Sequence, residues 1–176
     1  GVREPDIRKW LGYNAAIVRT MPNTPALVGS GATALFANNF VTEQERKRAE
    51  TILNAVGIAI WVSTEQLLDA VTAVSGSGPA YCFLLMELMA SAGEKLGLEK
   101  DLAIKLTLQT MYGAAKMAMA STEAPGTLRE RVTSPGGTTE RALEIFADGE
   151  MENLVFAALK GAHDRSLELG AKLGDD

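Results

Sequence analysis

Cysteine and histidine are almost absent: the 176 residues hold one of each, Cys82 and His163. A single cysteine excludes a disulfide framework within the chain, and the pair is too few for a Cys/His zinc site. No metal site is expected, and a histidine-centred triad is equally short of material. Cys82 lies in an apolar run and is expected to be a buried, inert thiol. Basic runs are missing too, and the net charge is −5. Phosphate contacts need clustered Lys and Arg, so nucleic acid is not an expected partner. No apolar stretch reaches the ~20 residues a membrane span requires. The most apolar one, Ala80 to Ala92, is interrupted by Glu87. No signal peptide opens the sequence. A soluble, cytoplasmic protein without a membrane partner is the expectation.

A phosphate-cradling glycine loop is also lacking. Gly29-Ser30-Gly31-Ala32-Thr33-Ala34 spells the dinucleotide fingerprint, with alanine in third place. That fingerprint has to lead into a helix, whereas Ala32 to Ala37 reads as a strand.

What is present is the mix of a globular protein, with 47% hydrophobic and 22% charged residues. The length suits one domain, or one domain plus a piece of another. The first part mixes strand and helix signals. Asp6 to Trp10 reads as a short helical turn ending near Gly12, and Ile17-Val18-Arg19 as a short strand. Met21 to Pro25 holds two prolines and is expected to be irregular. Thr42 and Glu45 have capping-box spacing at the start of a helix. Its apolar stripe is Ala49, Ile52, Leu53 and Val56, and Gly57 can take a left-handed cap. Ile58 to Val62 is a further strand. Strand, helix, strand in this order suits the edge of an α/β sheet.

From Thr64 onward the signals are helical only. Leu67, Leu68 and Val71 mark one helix start, and Ser75 to Pro79 interrupts it. Pro79 fits the first turn of the next helix, which stops at Gly97. Asp101 is the expected cap of the helix after that, which is lined by Gly113-Ala114-Ala115 and Ala118 to Ala120. Short helices follow from Thr127 to Val132 and from Thr139 to about Ala147. The last helix spans roughly Glu150 to Leu173, with an apolar stripe of Met151, Leu154, Val155, Ala158, Ala162 and Leu169. The fold class is therefore an α/β remnant, residues 1–63, followed by an all-α domain, residues 64–176. Eleven of the thirteen residues from Ala80 to Ala92 are apolar. A helix apolar on every side has to be covered on every side, and few helices are available to do so. An obligate, core-like helical homodimer follows; the competing reading is a monomeric bundle with a well-wrapped central helix.

Two segments can carry chemistry. In Ser134-Pro135-Gly136-Gly137-Thr138-Thr139, glycines lead into a helix whose start offers free N–H groups and a positive dipole end. That is the build of an anion site, and also of a plain turn with an N-cap; the residues alone leave both open. Ser75 to Tyr81 is a run of small residues that closely approaches either a ligand or another helix. Glu65 reads as a solvated charge at a helix start, and His163 as a rim residue. Arg129, Arg131 and Arg141 flank the Ser134–Thr139 loop.

Met21-Pro22-Asn23-Thr24-Pro25-Ala26-Leu27-Val28, Val74-Ser75-Gly76-Ser77-Gly78-Pro79-Ala80-Tyr81 and Val132-Thr133-Ser134-Pro135-Gly136-Gly137-Thr138-Thr139 resemble three blocks of the pyrroline-5-carboxylate reductases, in that family's order. Gly113-Ala114-Ala115-Lys116-Met117 matches a fourth. The resemblance covers essentially the whole chain. It implies that residues 1–63 correspond to the end of a Rossmann domain whose glycine-rich loop comes earlier in the family. The rest corresponds to the helical dimerisation domain. It implies hydride transfer from NADPH or NADH to the C=N carbon of 1-pyrroline-5-carboxylate, giving L-proline in proline biosynthesis. It assigns catalysis to Thr139, whose hydroxyl meets the ring nitrogen. It places the substrate at Glu65, Arg131, Ser134, Gly136, Gly137, Thr138 and Thr139, although some relatives carry Asn, in contact with the ligand, where Arg131 stands. It places the nicotinamide end of the cofactor at Met21, Pro22, Asn23 and Glu65. The implied partner is a second copy, intertwined through the last helices, with dimers in some cases forming decamers. The chain alone is expected to be an inactive reductase. A dimerisation module without catalytic duty, or a reductase of another cyclic imine, are the alternatives.

Overall fold

The computed structural model describes residues 1–174. It opens with helix α1, Glu4–Leu11, which has a proline in its first turn and ends on Gly12 in the left-handed region. Strand β1, Val18–Met21, follows. The Met21–Pro25 segment is not irregular throughout: Thr24–Val28 forms a 3-10 turn with proline at its start, closed by left-handed Gly29. Proline lacks the N–H that the first turn leaves unused, so it starts such a turn at no cost. Strand β2 is Gly31–Ala37, helix α2 is Glu43–Asn54 and strand β3 is Gly57–Trp61. The fingerprint letters at Gly29–Ala34 thus run into a strand.

The sheet order is β1-β2-β3, with β1 antiparallel and β3 parallel to β2. The central strand β2 buries Thr33, Ala34 and Leu35, which explains its near-continuous run of small and apolar residues. Helix α2 makes the crossover to β3, and both halves of the Thr42/Glu45 capping box are formed. Hydrogen bonds from the Thr42 amide and hydroxyl hold the Glu45 carboxyl below the usual carboxylate range. Arg46 lies 4.0 Å over the Trp61 ring, and the Trp61 indole N–H donates to Glu50. Gly57 is not the cap of α2. It begins β3 opposite Gly31, because the strands approach there too closely for a side chain.

After β3 the described chain is helical: α3, Leu67–Val71; a single π-turn, Thr72–Gly76; α4, Gly78–Lys95; α5, Lys100–Ala120; α6, Pro125–Arg131; α7, Thr138–Asp148; and α8, Met151–Gly174. Two compact units result. One holds Gly1–Ala80 with the described residues from Phe156 onward; the other is Tyr81–Val155.

In the first unit, α8 docks with a polar face rather than with its apolar stripe. The buried Ser166 hydroxyl donates to Asp69 Oδ1 at 2.6 Å. A Cβ on Gly170 would stand 3.1 Å from the Arg3 guanidinium. Leu169 is left open.

In the second unit, α4 ends in a Schellman cap: the amides of Leu98 and Gly97 return to the carbonyls of Gly93 and Glu94. Glu99, not Asp101, caps α5, its carboxylate accepting from the Leu102 amide. Asp101 sits in the first turn instead, where a carboxylate still meets the dipole. Within this unit the described residues do not wrap helix α4. Phe83 is 64% exposed and Leu88 55%, and only Ala90 is buried. Cys82, expected to be buried, is exposed on this same helix. No described helix is long and apolar enough to cross a membrane.

Candidate functional site

The residues singled out by sequence fall into two groups, one in each unit. In the first, β1 delivers Met21 into the loop Pro22-Asn23, and the π-turn delivers Ser75 and Gly76. The two segments interlock. Asn23 Oδ1 accepts from the Ala32 amide at 2.8 Å, and its Nδ2 donates to the Ser75 carbonyl at 3.1 Å. The end of the Met21 side chain lies 2.4 Å from where a Cβ on Gly76 would be. The close approach foreseen for Ser75–Gly76 is therefore made, on that side, to the chain's own Met21. Both ends of the Asn23 amide are in use, while Pro22 is exposed. Asn23→Leu leaves the Ala32 amide and the Ser75 carbonyl without a partner, which costs about 2–4 kcal/mol in urea unfolding. Asn23→Asp keeps the acceptor for Ala32 and loses less. An Asn23→Leu chain with the parental urea midpoint would show that the clamp carries no weight.

Glu65 is not solvated. It sits in the turn between β3 and α3, and its Oε1 accepts from Arg19 Nη1 and from the Glu4 amide, both at 2.6 Å. The side chains of Arg19 and Glu65 are 17% and 14% exposed. Charge-assisted hydrogen bonds of this kind are about twice as strong as neutral ones. Glu65 thus fastens α1 and β1 to the start of α3. It also borders a cavity of about 150 Å³ with Arg3, Arg19, Gln66 and Asp69. Arg19 was not singled out from the sequence; a lone arginine on a four-residue strand gives no signal of its partner.

In the second unit, Ser134–Thr139 joins α6 to α7. The Gly137 amide turns back to the Ser134 carbonyl at 3.0 Å. Gly136 has the left-handed φ of 70°, which glycine adopts without steric cost. Gly137 is the N-cap of α7 in extended backbone, with no side-chain cap. A Cβ on it would stand 2.9 Å from the Ser134 carbonyl oxygen. Gly137 is half-buried, whereas Thr138 and Thr139 are exposed. The Gly136 amide donates to Glu140 Oε2 at 2.7 Å. The amides of Thr138, Thr139 and Glu140 donate to no protein group among the described residues. Three adjacent free N–H groups at the start of an 11-residue helix can take a carboxylate. At ~1.5–3 kcal/mol each, hydrogen bonds to a charged acceptor outweigh the ~0.3–1 kcal/mol of the exposed dipole.

Arg131 pairs with Glu123 at 2.6 Å, and Arg141 with Glu144 at 2.9 Å. Their charge near the loop is thereby partly offset. Helices α6, α7 and α8 also line a mainly apolar cavity of about 840 Å³ bordered by Thr133, Leu143, Phe146, Met151 and Val155. Ser134–Thr139 does not border it, so this cavity is not the candidate site. His163 is half-buried beside Asp164, as a rim residue would be. No group of three or more His, Cys, Asp or Glu side chains suited to a metal stands together among the described residues.

The sequence matches the family model described as pyrroline-5-carboxylate reductase dimerisation over residues 65–169. It is 52% identical over 174 residues to the pyrroline-5-carboxylate reductase of Pseudomonas aeruginosa, covering 99% of this chain and 64% of that one. The solved pyrroline-5-carboxylate reductase of Coxiella burnetii superposes with a TM-score of 0.93 at 50% identity, over 96% of this chain and 63% of that one. The Plasmodium falciparum pyrroline carboxylate reductase, solved with NADP bound, gives a TM-score of 0.88 at 33% identity, over 96% of this chain and 64% of that one. The chain thus spans a little under two thirds of the length of the relatives it matches. By the family model and by its three-stranded sheet followed by helices, the chain belongs to the pyrroline-5-carboxylate reductase family.

Proposed function

We propose that this chain serves the reduction of 1-pyrroline-5-carboxylate to L-proline, the final step in making proline, in the cytoplasm. The observation that carries the reading is the Ser134–Thr139 loop. It offers three free amides and an exposed threonine hydroxyl in a segment that resembles this family's signature block. The substrate carboxylate is held by the amides of Thr138, Thr139 and Glu140, with Ser134, Gly136 and Gly137 shaping the loop and Arg131 near its entry. The Thr139 hydroxyl hydrogen-bonds the ring nitrogen and orients the imine; a hydroxyl is too weak an acid to do more. When bound, NADPH or NADH would supply the hydride that adds to the C=N carbon and leave as NADP+ or NAD+, with the ring nitrogen taking its proton from water. Residues 29–34 form a turn and a strand rather than the glycine-opened helix of a pyrophosphate cradle. What remains suits the nicotinamide end: Met21 and Pro22 line it, Asn23 fixes their loop, and Glu65 stands on the same unit.

The working form is a homodimer in which a second copy covers the apolar faces of α4 and of the α8 stripe. Further assembly into decamers belongs to the same reading. So does the division at residues 63 and 64 between the nucleotide-binding part and the dimerisation part.

The test is Thr139→Ala in a polypeptide of the relatives' full length that carries these residues. Loss of a hydrogen bond made to the reacting ring lowers kcat about 10²-fold, with Thr139→Ser restoring most of it and helicity unchanged. Full turnover by Thr139→Ala in steady-state NADPH oxidation would favour a module that only dimerises.

A further inference from the structure

The loop before α7 is shaped by backbone and fastened by one side chain. Gly136 is left-handed, Gly137 has no room for a Cβ, and the N-cap position offers no side-chain oxygen. Among the described residues, the side chain that holds this loop is Glu140, whose Oε2 accepts from the Gly136 amide at 2.7 Å. Glu140 is the third residue of α7. Its bond is like the returning half of a capping box, displaced one residue toward the loop, since the Gly137 amide is already given to the Ser134 carbonyl. Without it, a left-handed glycine followed by a second glycine has many backbone states to choose from. The neighbouring amides would then not share one direction.

We propose that Glu140 is a positioning residue of the substrate site: by pinning Gly136 it aims the free amides of Thr138 and Thr139 at a single carboxylate. This rests on the reading that those amides hold the substrate carboxylate. Glu140 touches the loop rather than the reacting atoms, and it acts in two opposing ways. Its hydrogen bond preorganises the site, which raises affinity by removing an ordering cost. Its charge stands at the same helix end as the bound anion and lowers affinity by like-charge repulsion. The two contributions separate in two substitutions. Gln keeps an oxygen for the Gly136 amide and drops the charge; Ala drops both.

The experiment is a titration of the ¹⁵N-labelled parent chain, Glu140→Gln and Glu140→Ala with L-proline, followed at the amides of Gly136, Thr138 and Thr139. Glu140 lies half-exposed at a helix start, so both variants keep the fold, which circular dichroism checks. In the parent, proline moves the Thr138 and Thr139 resonances. Glu140→Gln binds as tightly as the parent or up to several-fold tighter. Glu140→Ala binds about tenfold more weakly, the worth of a charge-assisted hydrogen bond, and its Gly136 amide exchanges faster with solvent. Rescue by Gln separates positioning from a general loss of stability. Equal affinity of Glu140→Ala and the parent, with Gly136 freed, overturns the proposal. So does Glu140→Gln binding as weakly as Glu140→Ala. If proline leaves Thr138 and Thr139 unmoved in the parent itself, the carboxylate-site reading fails before any variant is compared, and the role of Glu140 falls with it.

Discussion

Leu88→Asp in α4 is expected to leave the chain monomeric under conditions in which the parent sediments as a dimer. Leu88 is 55% exposed and Phe83, five residues earlier, 64%. The substitution therefore removes no core of the chain's own fold. Covering a leucine side chain is worth about 1.5–3 kcal/mol. A carboxylate at the same place has to be desolvated, at several kcal/mol per ion when it finds no partner. In a two-fold interface each change occurs twice. The sum exceeds about 5 kcal/mol, enough to weaken dimerisation more than a thousandfold by the rule of ~1.4 kcal/mol per factor of ten. Sedimentation velocity over a range of concentrations decides the matter. A Leu88→Asp chain that remains dimeric removes α4 from the interface, and a monomeric parent removes the homodimer altogether. Helix content should survive, since the buried residues Leu35 and Leu68 belong to a different part of the chain.

That prediction draws on a pattern visible before any coordinates: an all-apolar helix in a chain with too few helices to wrap it. Local features were legible for the same reason, that cause and effect lie within a few residues. The Thr42/Glu45 box, the Gly97 stop and the strand beginning near Ala32 all follow from side chains next to the backbone they govern. The expected cap at Asp101 missed by two residues because Glu99 offers an equivalent carboxylate. The loop at Ser134–Thr139 was legible as a glycine-opened helix start. Its fastening was not, since a capping box is recognised by a hydroxyl residue at the N-cap and here that residue is Gly137. Long-range partners were beyond reach. Glu65 is bound by Arg19 and by the Glu4 amide, 46 and 61 residues away. Ser166 meets Asp69 across 97 residues. Nothing in the spacing of such pairs marks them, so a charge that the sequence assigns to solvent can turn out to be an anchor.

Gly57→Ala is expected to destabilise the chain by about 3–5 kcal/mol, a large share of the ~5–15 kcal/mol that holds a typical domain together. Two penalties add. Gly57 has φ of 153°, a region that side chains rarely adopt, and such strain costs about 1–3 kcal/mol. A Cβ would also stand 2.0 Å from the Gly31 carbonyl oxygen and 2.4 Å from its nitrogen. Those atoms belong to the backbone of the paired strand, so no side chain can rotate away. The pairing begins at Gly31 opposite Gly57 and continues through Leu35 opposite Trp61. The Gly31 amide also donates to the Val56 carbonyl at 2.9 Å. Relieving the clash means parting β2 from β3 at this end and giving up that bond, worth about 1–3 kcal/mol when the groups are left unpaired. The control is Gly126→Ala in α6, where an added methyl meets nothing within 4 Å and is expected to be neutral or mildly stabilising. Urea unfolding of the three chains at equal concentration gives the comparison. A Gly57→Ala midpoint equal to that of the parent would mean that β2 and β3 do not meet in this register.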